Sequence, residues 1–446
     1  MSTLPKGWTM TSLGAICERL VDGSHNPPKG VDVGLPMISA RNIQGRNIYF
    51  DGCRYLSETD FEAENKRTAI RAGDVLLTIV GSIGRTAVVS EGILPFTLQR
   101  SVAVLRSPIA TGQYLSYLLE SVSVQEQLLA NARGNAQKGI YLKELSKVAV
   151  PLAPLVEQKR ITDKLDAALS RVDAARARLG RVPALLKRFR QAVLAAATSG
   201  ALTEDWREER GLDEKWERVS VADVADEFSY GTSAKSSKTG LIPVLRMGNI
   251  QDGQLDWDDL VFTSNVDEIG KYRLVSGDVL FNRTNSPELV GKTAVFKGEC
   301  EAIYAGYLIR VRCSSRLLPD FINYCLNSPA GRDYCWRVKS DGVSQSNINA
   351  KKLAAFEFDL PSVDEQREII RRAESLFAIA DRVQAQYERT FDRLSKLTPA
   401  LLAKAFRGEL VAQDPDDVPA DQLLSGVKAP VKTVRGARKR AGALAN

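Results

Sequence analysis

The chain has 446 residues, 44% of them hydrophobic and 26% charged, which is ordinary globular composition and length enough for two to three domains. Its longest apolar stretch, VAVPLAPLV at 148–156, is too short and Pro-broken to span a bilayer, and MSTLPKGWTM lacks a basic-then-apolar leader, so a cytoplasmic protein without a membrane partner is expected. The net charge of +7 suggests nucleic acid, but 427–446 holds six Lys/Arg and no acid, and without that stretch the charge is only +1.

Early in the chain, residues 24–30 read SHNPPKG. Asn26-Pro27-Pro28 looks like the start of the Asn/Asp-Pro-Pro-aromatic loop of amino-methyltransferases, but Lys29 stands where a ring would stack on the flipped base. The loop reads instead as a recognition loop, with Ser24, His25, Asn26 and Lys29 offering donors and acceptors to base edges or phosphates, or as a plain surface turn.

The short β-branched runs PMISA, DVLLTIV, TAVVS and RSVAVL, with a helical pattern near 112–132, predict an α/β or α+β domain. Its further candidate contacts are Thr78, Ser82 and Arg85 around the loop after GDVLLT, the pair Gln99 and Arg100, and Gln137 and Lys138 in a glycine-led loop.

From Glu157 to Thr198 apolar residues keep heptad spacing: Ile161, Ala168, Ala175, Val182, Phe189 and Ala196 interleave with Leu165, Val172, Leu179, Leu186 and Val193. Forty-two helical residues span about 63 Å at about 1.5 Å per residue. Pro183, behind Gly180, should bend or interrupt the last third.

The chain is then written again at an offset of about 208 residues. KGWTMTSLG answers EKWERVSVA and aligns Trp8 with Trp216; Gly23 aligns with Gly231; ARNIQ answers MGNIQ, GDVLLT answers GDVLFN, and GRTAVV answers GKTAVF. The second copy offers Lys235, Arg246, Arg283, Asn285, Lys292, Tyr304 with Tyr307, Gln345, Ser346 and Asn347 as DNA-binding candidates. Arg283 and Asn285 suit guanine and adenine respectively, and their loop, Arg283 to Val290, is three residues longer than its counterpart Ile79 to Ile83. SPELVGKT at 286–293 nearly spells a phosphate-binding loop, but its doubling as GRT in the first half reads as a turn into a strand.

A second heptad stretch runs Ile369, Ala373, Leu376, Ala380, Val383, Tyr387, Thr390, Leu394, Leu397 and Leu401, with Pro399 expected to bend or interrupt it. Complementary sizes at matched positions, such as Leu165 with Ala373, suit two helices that pack on each other. Glu157-Gln158 and Glu365-Gln366 stand at the two helix starts, where acids favour the positive dipole end and capping is expected. The six cysteines form no C-x-x-C pair and there is one histidine, so reduced thiols and no metal site are expected.

Gly23-Ser24-His25 before Pro27-Pro28, the GDVL strand starts, QKGIYLKEL, the Glu-Gln helix starts and SGALTEDWREE together closely resemble the specificity subunit of Type I restriction-modification enzymes, over roughly 5–412. The resemblance implies two target-recognition domains, 1–152 and 204–360, separated by two long antiparallel coiled-coil helices, 153–203 and 361–410, related by a pseudo-twofold, with a basic, flexible tail at 411–446. It implies a non-catalytic subunit that reads a split site on double-stranded DNA. Its helices would bind two modification subunits, with Glu157, Gln158, Glu365 and Gln366 added as partner contacts, and restriction subunits would join through them. S-adenosylmethionine, ATP and Mg would then be used by those partners, with no cofactor in this chain.

Overall fold

The computed structural model describes residues 4–134, 137–212, 215–343 and 345–426; the basic stretch at 427–446 lies outside these. The chain forms two compact units, one of residues up to Arg178 with those from Thr390 onward, the other Leu179–Arg389.

Each unit is built on a four-stranded antiparallel sheet. In the first the order is Arg19–Asp22, Val102–Arg106, Val75–Thr78, Thr86–Val88; in the second it is Ala225–Tyr230, Leu308–Cys313, Val279–Asn282, Thr293–Val295. The GDVL runs are apolar at successive positions because both faces of the central strand are covered. Val75 and Leu77 enter the core shared with Tyr114 and Leu118, while Leu76 enters a second core with Ile38 and Phe96. Val279 and Phe281 against Leu280 repeat that division.

A smaller sheet carries one parallel pairing in each unit, Leu35–Ile38 with Thr97–Leu98 and Ile242–Leu245 with Ile303–Tyr304. Here the aligned glycines earn their place: a Cβ on Gly23 would lie 2.1 Å from the Leu98 carbonyl oxygen, and one on Gly231 2.2 Å from that of Tyr304.

The strands Ala149–Leu152 and Glu357–Leu360 lead into the long helices, α1 (Leu155–Leu179), α2 (Val182–Ser199) and α3 (Val363–Phe406). Pro183 breaks the first stretch as expected, sitting in the opening turn of α2, where its missing N–H costs nothing. Of the two outcomes expected at Pro399, interruption does not occur: α3 continues through it. The proline removes one backbone hydrogen bond, while Leu394, Leu402, Ala405 and Phe406 are buried on either side of it and keep both flanking turns packed.

In the first unit Ile161, Leu165 and Leu169 of α1 share a core with Leu402, Ala405 and Phe406 of α3, whose Phe406 meets Tyr114 edge-on at 5.4 Å. In the second, Val193, Leu194 and Ala197 of α2 share a core with Ile369 and Ala373. Arg190 pairs with Asp381, so α2 and α3 run in opposite senses. The heptad seam is not buried along its whole length, since Phe189, Val383 and Leu397 are exposed.

The expectation of a flexible tail from 411 is corrected for 411–426. Leu410, Val411, Leu423 and Leu424 pack on the first core, the Ala420 N–H donates to the Gly7 carbonyl at 2.8 Å, and Asp417 pairs with Arg160. Apolar residues in that segment make it part of the first unit.

Candidate nucleic-acid interface

Backbone hydrogen bonds join four loops of the first unit into one edge. Ser24 N–H donates to Leu98 and Arg100 N–H to Ser24, both at 2.8 Å; Ile79 N–H donates to Ser101, Ile140 N–H to Ile79 and Gly81 N–H to Lys138, each at 2.9 Å. The second unit repeats the pattern: Thr232 N–H to Tyr304 at 2.9 Å, Gly306 N–H to Thr232 at 2.7 Å, Arg283 N–H to Tyr307 at 3.0 Å and Ile348 N–H to Arg283 at 2.9 Å. Each sheet thus positions the loops that the sequence singled out. SPELVGKT forms, as expected, a turn leading into the strand Thr293–Val295.

Several first-unit candidates are exposed on these loops: His25, Asn26, Lys29, Ser82, Arg85, Arg100, Gln137 and Lys138, with Gln99 half-buried. The His25 imidazole lies 2.7 Å from the Asp22 carboxylate, and Arg85 reaches back to the Ile43 carbonyl at 3.5 Å. Ser24 and Thr78 are buried, which corrects their reading as DNA contacts. The Thr78 hydroxyl donates to the Ser82 carbonyl and accepts the Arg85 N–H at 2.9 Å, so it shapes the turn.

In the second unit Lys235 and Gln345 are exposed, and Arg283, Asn285 and Asn347 half-buried. Tyr304 and Ser346 are fully buried and are likewise corrected: Tyr304 fills the place of Leu98 in a core, and Ser346 donates to Asp341. Tyr307 stays exposed. Arg246 and Lys292 stand apart from the hydrogen-bonded edge; Arg246 donates to the Asp259 carbonyl at 2.7 Å and Lys292 to Gln251 at 2.8 Å. Burial pulls the Lys292 pKa below its ordinary value.

Sequence reasoning missed Tyr230. The Arg283 guanidinium lies over its ring, 4.7 Å from the centroid, and the Tyr230 hydroxyl accepts the Ala350 N–H at 3.0 Å. The repeat gave no signal, because its counterpart is Asp22.

The four helix-start residues are neither exposed partner contacts nor simple caps, since all are buried. Glu157 accepts the Trp8 indole N–H at 2.9 Å and the Gln413 amide at 2.6 Å. Glu365 accepts Trp216 at 3.0 Å, Thr203 at 2.7 Å and Arg207 at 2.5 Å. Gln158 donates to the Ile109 and Ala153 carbonyls at 3.0 Å, and Gln366 to those of Arg316 and Pro361 at 2.9 Å. In each unit they tie the first strand, the helix start and the segment after a long helix together. Burial raises the Glu157 pKa against the pull of its donors. The signal was in the sequence, for Trp and Glu are 149 residues apart in both copies.

The family model of the Type I restriction modification DNA specificity domain matches twice, at 5–179 and 213–387. The chain belongs to this family. As a Type I specificity subunit it supplies the DNA sequence specificity of a restriction-modification system. It is 30% identical to the Type I restriction enzyme EcoKI specificity subunit of Escherichia coli (strain K12), with 97% of each chain covered. Against the StySPI specificity subunit of Salmonella potsdam it is again 30% identical, over 98% of each. The HsdS subunit of Thermoanaerobacter tengcongensis shares its fold, with a TM-score of 0.55 at 20% identity over 92% of this chain and 98% of that one. A chain from a type I R-M system, solved for its complex assembly and conformational transition, fits at a TM-score of 0.69 and 21% identity, covering 92% of this chain and 100% of its own. Among the described residues no helix of this specificity subunit is long and apolar enough to cross a membrane.

Proposed function

We propose that this specificity subunit reads a bipartite, asymmetric target on double-stranded DNA, one half with the loop edge of each unit. The observation that carries the reading is the loop edge itself: the same backbone hydrogen bonds recur in both units while the side chains beside them differ, exposed His25 and Asn26 against exposed Ser233 and Ala234, and half-buried Arg283 where the first unit has buried Ile79. One scaffold carrying two side-chain sets suits two different half-sites.

In this reading the chain does no chemistry. Methyl transfer from S-adenosylmethionine belongs to two modification subunits, and ATP- and Mg-dependent restriction to further subunits joined through them. Docking passes to the outward faces of α1, α2 and α3, because the Glu-Gln pairs at the helix starts are enclosed.

Mapping methylated bases in the source genome, with and without an intact copy of this chain, tests the reading. A split motif that vanishes on deletion is expected, together with no methyl transfer by the chain alone. A continuous motif, or transfer by the isolated chain, overturns it in favour of a self-contained adenine methyltransferase.

A further inference from the structure

We infer that Arg283 is the residue of the second unit that reads a guanine, and that Tyr230 and Asn347 hold its guanidinium ready to do so. The inference rests on the proposed role of the loop edges. It begins from a matched pair of positions. Ile79 and Arg283 follow equivalent central strands, and each has its N–H bonded to the equivalent loop, Ser101 or Tyr307, and its carbonyl bonded to Ile140 or Ile348, all within 2.9 to 3.0 Å. The fold therefore accepts a buried aliphatic at this place, and Ile79 is only 2% exposed. Nothing in the scaffold requires a cation there.

Arg283 is half-buried and, among the described residues, forms no ion pair with a carboxylate, whereas its neighbours Arg310 and Arg312 both pair with Glu227. Its Nη1 and Nη2 make only long contacts, 3.5 Å to the Gly306 carbonyl and 3.4 Å to the Asn347 amide oxygen. Its Nε is buried and has no partner. In the preceding residue, fully buried Asn282, both side-chain amide atoms are also unpaired. The buried, unpaired Nε is the costly part, and the two Nη groups keep donors to spare for a ligand.

Its orientation is nonetheless fixed. The guanidinium stacks on Tyr230, whose hydroxyl is anchored by Ala350, and Asn347 is itself held by its amide, which donates to the Thr284 hydroxyl at 2.8 Å. The Tyr230 ring on which it stacks is itself exposed, so the fork lies at the solvent edge of the loop. A planar, stacked fork with free donors matches the two acceptors, O6 and N7, that guanine alone presents together in the major groove. Ile79 has no such capacity, so this contact belongs to one half-site and helps to make the target asymmetric.

The test uses the full chain in its Type I complex and a pool of duplexes with randomised half-sites. Arg283→Ala should bind the cognate duplex about ten- to a hundredfold more weakly, and lose preference at a single G·C pair of one half-site while keeping every other preference and the salt dependence. Arg283→Lys keeps the charge without the fork and should relax the same pair, and Tyr230→Leu should relax it less. A uniform loss across all sequences with a smaller salt slope makes Arg283 a phosphate contact and overturns the inference, as does an unchanged preference. Should the alanine variant fold poorly, lost preference at the other half-site reveals it, and the lysine variant decides. A wild-type complex that selects no sequence refutes the broader reading instead.

Discussion

The two units solve one structural problem twice with unequal polar groups. At the helix starts, Glu157 receives two neutral donors, Trp8 and Gln413, while Glu365 receives Trp216, Thr203 and the cation Arg207. At the turn after the central strand, Thr78 satisfies its hydroxyl within the loop, while the Asn282 amide has no partner at all. The fold needs an acid at the helix start and a tight turn beyond the strand; the particular partners are free to differ.

The largest effect should therefore fall on Glu365. Glu365→Ala strands a partly buried guanidinium, at about 3–5 kcal/mol, in addition to two neutral donors, whereas Glu157→Ala strands two neutral donors alone, at about 1–3 kcal/mol each, so the Glu365 loss should be the larger. Urea unfolding of the two variants checks the order, and equal losses would mean that the Arg207 contact contributes nothing.

Gly23→Ala and Gly231→Ala should instead match each other, each costing about 1–3 kcal/mol, because both place a methyl group against a carbonyl oxygen. Unequal melting shifts would show that one small sheet yields more readily than its copy.

Thr78→Val should cost about 1 kcal/mol, while Asn282→Leu should be neutral or stabilising, since it removes an amide that bonds to nothing. If thermal unfolding shows both losing stability alike, the Asn282 amide has a partner after all.

The smallest difference is one of pH. Glu368, bonded to Arg371 and Arg372, is held at about 2. A carboxylate depressed in this way contributes stability above about pH 4.5 that is lost as pH falls toward about 2. Glu157 is raised by burial, so its contribution has the opposite sign: it favours the fold at acid pH and is lost as pH rises past the usual glutamate range. Glu368→Gln should flatten the acid limb of a stability–pH profile, and Glu157→Gln should steepen it.

Much of this was legible in the residues. The repeat exposed the doubled fold, the unbroken apolar character of VLLT and VLFN marked strands covered on both faces, and Pro183 marked the break between α1 and α2. What stayed hidden depends on tertiary neighbours. Tyr304 looks like a surface aromatic until its register places it where Leu98 stands, and Glu157 looks like a cap until Trp8 is brought to it from 149 residues away. The segment 411–426 reads as a polar tail because its few apolar residues show no period, yet Ala420 and its neighbours find a core already built. Tyr230 had no counterpart from which its stacking on Arg283 could be read.

The first unit draws on both sides of the second in sequence, with Leu402, Ala405, Phe406 and Ala420 in the same core as Trp8 and Leu13. On a ribosome the second unit is complete once Arg389 has emerged, whereas the first must wait, its core lacking one wall, until the residues from Thr390 onward are made. The part of the protein that is translated first is thus the last to finish folding, and in the interval its open side is where a nascent chain would be most exposed to chaperones and proteases.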